Sequence, residues 1–200
     1  MGNNKYAEYT DFILDKTVEL LNIDSPTGYT DEAAAWVKKE FEDLGYEANL
    51  TKKGGVLVNL TGTDENNGLF LESHTDTLGG MVSSIKSTGR LSITPLGGMN
   101  ANNAETENVR IVTKFNGEYE GTFQLENASI HVNGEYDDVK RSFETCEVVL
   151  DEDVKSKDVT SSIVCPEYHA LQCVKPPANA RFNWWYSSAP VIVSARIRSR

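Results

Sequence analysis

The hydrophobic period of this chain changes at Gly45, and that change limits the folds open to it. Between Tyr6 and Leu21, apolar side chains fall at Tyr9, Phe12, Ile13, Leu20 and Leu21, the spacing of one buried helix face. Ser25-Pro26-Thr27-Gly28 has turn chemistry. Thr30, Asp31 and Glu32 then supply an N-cap and an acidic first turn for a second helix through Ala33, Val37, Phe41 and Leu44, in which Trp36 is assigned to packing. Beyond Gly45 the period is two. Tyr46, Ala48 and Leu50 alternate with polar residues, Gly54-Gly55 makes a turn, and Val56 to Leu60 returns as the second arm of a hairpin. Two helices followed by strands make an α/β beginning.

The next strand carries chemistry at its end. A polar loop leads into Leu69 to Leu71, which reads as a buried strand, and the run then breaks into Ser73-His74-Thr75-Asp76 and a pair of glycines. An imidazole can bind a metal through one ring nitrogen while a carboxylate accepts a hydrogen bond from the other, fixing the ring's orientation and tautomer. His74 is therefore a candidate metal ligand and Asp76 the catalytic carboxylate that would tune it. The same spacing also describes a satisfied loop histidine beside a turn aspartate, and on spacing alone both readings stand.

After Asp76 no helical period returns before about Asn127. Met81 to Lys86 and Arg90 to Thr94 form one hairpin about Thr88-Gly89. Val109 to Phe115 and Glu118 to Leu125 form another about Asn116-Gly117, a pair that favours a tight type I′ turn. Ser129 to Val132 and Cys146 to Leu150 read as further strands, with His131 in a structural role and Asp137 to Thr145 as a polar connection. Pro95 to Glu107, rich in glycine and asparagine, reads as a solvent loop, with a subunit contact or substrate rim as the alternative.

Composition narrows the function. Two hundred residues fit one domain or little more. A net charge of -11 and a pI near 4.7 exclude nucleic acid and anionic membranes as natural partners, since phosphate contacts need clustered Lys and Arg. No run approaches the roughly 20 apolar residues of a membrane span, no signal-peptide pattern is present, and Tyr6 stands where a myristoylation motif has Ser or Thr. Cys146, Cys165 and Cys173 are expected as free thiols in a reducing compartment, so a cytoplasmic enzyme is the expectation.

The chain changes character near Val159. Up to that residue the net charge is -15, and from Thr160 onward it is +4. The tail holds Trp184-Trp185-Tyr186 and Pro176-Pro177 with no clear period. Cys165, His169 and Cys173 lack a fourth ligand and make a poor zinc site, and Arg196, Arg198 and Arg200 are read as solvated.

Four segments carry a resemblance: Leu-Leu-Asn-Ile-Asp-Ser-Pro-Thr-Gly at 20–28, Phe-Leu-Glu-Ser-His-Thr-Asp-Thr-Leu-Gly at 70–79, Gly89-Arg90-Leu91, and Leu-Gly-Gly-Met-Asn-Ala-Asn-Asn-Ala-Glu-Thr-Glu-Asn at 96–108. Over residues 6–158 the chain resembles the tetrahedral aminopeptidases, also called the glutamyl aminopeptidase and endoglucanase-like metallopeptidases. The resemblance implies an α/β fold: the start of a metallopeptidase catalytic domain interrupted by a small β-rich, barrel-like inserted domain that helps build homo-oligomers. It implies two divalent ions, zinc or cobalt, holding a water that attacks the peptide carbonyl, with His74 a metal ligand and Asp76 its partner. Thr77-Leu78-Gly79 replaces the commoner Glu-Ile-Gly, which leaves the peptide substrate's preferred N-terminal residue open.

The family's bridging aspartate, Glu-Glu pair and later ligands have no match between Thr160 and Arg200. The expected organisation is thus a first catalytic lobe at 1–77, an inserted oligomerisation domain at 78–158 and an unassigned tail at 159–200, out of frame by a break near Val159. On this reading the chain is a truncated, inactive form of a metal-dependent aminopeptidase, with apolar faces left open. Its alternative is a non-catalytic assembly or binding module that keeps the inserted domain. A glycosidase needs two facing carboxylates, and a sequence with 30 acidic residues nominates no pair.

Overall fold

The computed structural model describes residues 6–60, 62, 68–114 and 116–164, with the backbone of Leu171–Cys173 and Ile197–Arg198. The chain divides into two compact units, Met1–Asp76 with Ala189–Arg200, and Thr77–Ser188. Cys165, His169 and the Trp184-Trp185-Tyr186 cluster lie outside the described residues.

The first unit opens with helices α1 (Ala7–Leu21) and α2 (Asp31–Asp43). Gly45, at φ +86°, ends α2 in the left-handed conformation that glycine adopts without steric penalty. Strands β1 (Glu47–Leu50) and β2 (Val56–Asn59) pair antiparallel, with Glu47 opposite Asn59 and Leu50 opposite Val56. Their connection is built on a Thr51 N–H bond to Gly55 O at 2.7 Å, with Gly54 at φ +82°. Ala34, Val37, Ala48, Val56 and Val58 form the buried cluster, flanked by Leu20, Trp36, Phe41 and Leu60. It is a thin core, with no buried member larger than valine.

Three expectations are corrected here. Thr30 precedes α2, but its hydroxyl makes no capping bond, because its backbone sits at φ -110° and ψ 3° instead of the extended conformation that aims a cap. Its carbonyl still accepts the Ala34 N–H at 2.9 Å. The buried strand expected at Leu69 to Leu71 is a two-residue strand β3 (Gly68–Leu69), paired antiparallel with Ile197–Arg198, and Leu69, Phe70 and Leu71 are all exposed. Finally, the helical period of α1 is real, but Tyr9, Phe12, Ile13 and Leu21 stay exposed while Leu20 packs on the core. Leu14, Val18 and Leu21, spaced i, i+4 and i+7, form a second exposed apolar stripe. A helix apolar on more than one side is built for burial on more than one side.

The second unit is a closed antiparallel barrel. Its strands are β4 (Gly79–Ile85), β5 (Leu91–Leu96), β6 (Asn108–Val112), β7 (Glu118–Leu125), β8 (Cys146–Leu150) and β9 (Leu171–Cys173), in the order β4-β5-β8-β7-β6-β9. Closure leaves no free sheet edge, so the strands need no other protection against edge pairing. Buried residues alternate along β6 and β7, and Leu91, Ile111, Phe123, Leu125 and Val148 are at most 1% exposed. Each contributes about 1.5–3 kcal/mol of burial. Helix α4 (Lys157–Ile163) is capped by the Ser156 hydroxyl, which accepts the Val159 N–H at 3.4 Å, and seats Thr160 and Val164 in buried positions.

Two hairpins predicted from turn residues are present, each with its expected glycine left-handed, Gly89 and Gly117 at φ +86° and +80°, but only the first has the expected form. Lys86–Arg90 closes with Gly89 at φ +86°. Between β6 and β7 the connection runs from Thr113 to Gly117, closed by Thr113 N–H to Gly117 O at 2.9 Å, instead of a two-residue type I′ turn. The side-chain amide of Asn116 donates to Ile163 O at 2.8 Å, serving the end of α4. Ser129 to Val132 is a hydrogen-bonded turn, with Asn133 N–H on Ser129 O at 2.9 Å, so His131 lies on an exposed turn and not in a strand.

The segment Pro95 to Glu107 is also more than a solvent loop. It extends β5 and holds a short helix α3 (Ala101–Ala104) whose two alanines enter the barrel core. Arg141 Nε donates to Glu105 Oε2 at 2.9 Å and Thr106 N–H to Phe123 O at 2.7 Å, which pins the segment.

Candidate functional site

His74 and Asp76 lie side by side. Nδ1 of His74 lies 3.0 Å from Oδ1 of Asp76. Because an ionised carboxylate only accepts, the contact assigns a proton to Nδ1, and in the neutral ring Nε2 then keeps its lone pair. The two side chains differ sharply in exposure, 38% for His74 and 2% for Asp76, so a buried carboxylate stands behind a ring that reaches solvent. Nε2 has no hydrogen-bond partner among the described residues. Histidines that ligate a metal through one ring nitrogen commonly have the other held by a carboxylate in this way.

Two hydroxyls from the connection between α1 and α2 hold this segment, a role the sequence reading missed by treating 25–28 as a turn. Thr27 Oγ1 donates to Asp76 Oδ2 at 2.8 Å, and Ser25 Oγ donates to the Thr75 carbonyl at 2.9 Å. Pro26 fixes φ between them, Gly28 turns the chain at φ +90°, and Tyr29 N–H bonds to Pro26 O at 2.7 Å. Ser25 is 1% exposed. Thr75 Oγ1 is buried with no hydrogen-bond partner among the described residues, a polar atom that costs about 1–3 kcal/mol to leave unsatisfied.

The donor set does not fit two metal ions. One imidazole nitrogen is available, both Asp76 oxygens already accept bonds, and among the described residues no group of three or more His, Cys, Asp and Glu side chains converges to hold an ion. His131 joins no such group. The second unit has its own buried carboxylate, Glu147, which is 1% exposed and receives Lys86 Nζ at 2.8 Å together with the Arg90 guanidinium. With both oxygens engaged by cations, it is a structural clamp at one end of the barrel.

Comparison with known proteins follows the same outline. A family model described as M42 glutamyl aminopeptidase matches residues 54–170. The chain is 35% identical over 145 residues to the Bacillus subtilis (strain 168) protein named "Putative aminopeptidase YhfE", covering 72% of this chain and 42% of that one. A TET aminopeptidase from the marine sediment archaeon Thaumarchaeota archaeon SCGC AB-539-E09 superposes with a TM-score of 0.61 at 20% identity, over 82% of this chain and 46% of that one. The structure described as PhTET1-12s, a dodecamer in the asymmetric unit, gives 0.59 at 17% identity over 80% and 45%. At these identities the solved structures establish the fold alone. The chain spans less than half the length of each of these three proteins.

Proposed function

This chain belongs to the M42 glutamyl aminopeptidase family, and on that premise we propose that His74 supplies one metal ligand to a hydrolase that removes N-terminal residues from short peptides. The observation that carries the reading is the hydrogen bond between His74 Nδ1 and the buried Asp76 carboxylate, which in the neutral ring leaves Nε2 with its lone pair on an exposed side chain. A peptidase of this family depends on divalent metal, zinc or cobalt. Of the described residues this reading assigns His74 alone as a ligand, and it expects the 200-residue chain by itself to release no N-terminal residues. Residues 1–77 act as the first catalytic lobe and 78–158 as the inserted assembly domain. Assembly into homo-oligomers is supported by the dodecameric structure that shares the fold. Among the described residues no helix is long and apolar enough to cross a membrane.

The test is an aminopeptidase assay with zinc or cobalt on two proteins: the 200-residue chain, and a chimera in which the unmatched C-terminal part of the B. subtilis relative follows Val164. The chimera is expected to release N-terminal residues and to lose that activity with His74→Ala, while the short chain releases none. Activity in the short chain refutes its proposed inactivity, and a chimera indifferent to His74→Ala refutes the ligand assignment.

A further inference from the structure

We propose that Thr27 is a positioning residue: its hydroxyl fixes the rotamer of Asp76 and, through Asp76, holds His74 in the single tautomer that leaves Nε2 free. This rests on the reading of His74 as a ligand and adds to it the device that prepares the ring.

The geometry separates two tasks within one short segment. Ser25 Oγ binds the backbone at Thr75 O, 50 positions away, and Thr27 Oγ1 binds the side chain of Asp76, 49 positions away. A threonine hydroxyl has one proton, and a carboxylate can only accept, so the Thr27 proton is committed to Oδ2 at 2.8 Å. With Oδ2 held there, Oδ1 is the oxygen turned to the ring, 3.0 Å from Nδ1. The carboxylate then stabilises the Nδ1–H form, and the ring nitrogen on the solvent side is the unprotonated one. The intervening Pro26 keeps the two hydroxyls in fixed relation, and Ser25 anchors the chain without touching the carboxylate. Thr27 thus acts on chemistry, whereas Ser25 acts on position of the backbone.

Nitrogen-15 NMR of the 200-residue chain at alkaline pH, where imidazole is neutral, tests this without any metal, with His74 assigned by loss of its signals in His74→Gln. The wild-type ring is expected to show Nε2 unprotonated and Nδ1 protonated. Thr27→Val is expected to mix the two tautomers, Thr27→Ser to restore the single one, and Ser25→Ala, which loses a comparable bond, to leave it single. A Thr27→Val ring that stays in one tautomer, a Thr27→Ser ring as mixed as Thr27→Val, or a Ser25→Ala ring equally mixed, overturns the proposal. Should Thr27→Val unfold, the wild-type chain decides: a Thr27 hydroxyl proton slowed in exchange and correlated with the Asp76 carboxyl carbon supports the latch, and one exchanging at the free rate refutes it. Since no metal is present, failure here is distinct from failure of His74 to serve as a ligand.

Discussion

Thr160 Oγ1 donates to the carbonyl oxygen of Gly89 at 2.8 Å, joining α4 to the turn between β4 and β5 across 71 positions of sequence. A Cβ added at Gly89 would lie 2.7 Å from that hydroxyl and 3.2 Å from the backbone of Ser156, at a φ of +86° that side chains rarely adopt. Gly89→Ala is therefore expected to destabilise the barrel unit by about 1–3 kcal/mol. Thr160→Val, which keeps the volume and removes the donor, is expected to cost about 1–2 kcal/mol. Amide exchange at Lys86, whose N–H bonds to Arg90 O within that turn, reads both. Protection unchanged in Gly89→Ala would show that the close approach is not rigid.

The Glu147 clamp makes a directional prediction. Replacing Lys86 and Arg90 together strands a buried carboxylate and is expected to destabilise the barrel by about 3–5 kcal/mol. Glu147→Ala leaves two partly exposed cations that water can reach, so its loss should be smaller. Urea denaturation followed by circular dichroism ranks the two, and the reverse order contradicts the clamp.

Lys86 also gives the clamp a pH dependence. Burial alone would lower its pKa, but the hydrogen bond and charge of Glu147, with Glu126 adding to the attraction, raise it above the ordinary 10.5. A group whose folded pKa is raised contributes stability that is complete below its unfolded value and is lost as pH climbs through the folded one. Barrel stability is expected to fall as pH rises above 10.5, and to fall less steeply in Glu147→Gln. Thermal melts across alkaline pH check the slope.

Cys146 is 1% exposed, and burial pushes its thiol above the ordinary 9.0. It is expected to resist iodoacetamide in the folded chain at neutral pH and to react once urea opens the barrel. Peptide mapping by mass spectrometry follows this residue separately from Cys165 and Cys173. Equal labelling with and without urea would mean that the barrel opens readily.

The stripe of Leu14, Val18 and Leu21 is expected to drive concentration-dependent association of the chain. Replacing all three with lysine should reduce that association in sedimentation velocity runs while the helical signal is retained. Association unchanged by the triple substitution would assign it to another surface.

What the sequence revealed followed from local rules. The change of period at Gly45, the stop of α2 there, and the Thr88-Gly89 hairpin all depend on residues a few positions apart, and the structure has them. The contact of His74 with Asp76 was legible for the same reason. Long-range partners were not. Asn116 looks like a turn former, yet its amide is used by Ile163 O, 47 positions on, and the turn takes another form. Thr27 carries no local mark of its link to Asp76, since its position next to Pro26 explains it fully as a turn residue. The period that marks α1 as a helix describes one face, and the exposed Leu14 and Val18 fall outside it.

The barrel's first and last strands are neighbours, with Gly80 opposite Gln172 and Met81 opposite Leu171 in antiparallel register. The beginning of β4 at Gly79 and the end of β9 at Cys173 therefore lie about 5 Å apart, one strand spacing. A six-stranded barrel closed in this way brings residues more than ninety positions apart in sequence side by side, so its closure rests on one of its most distant pairings.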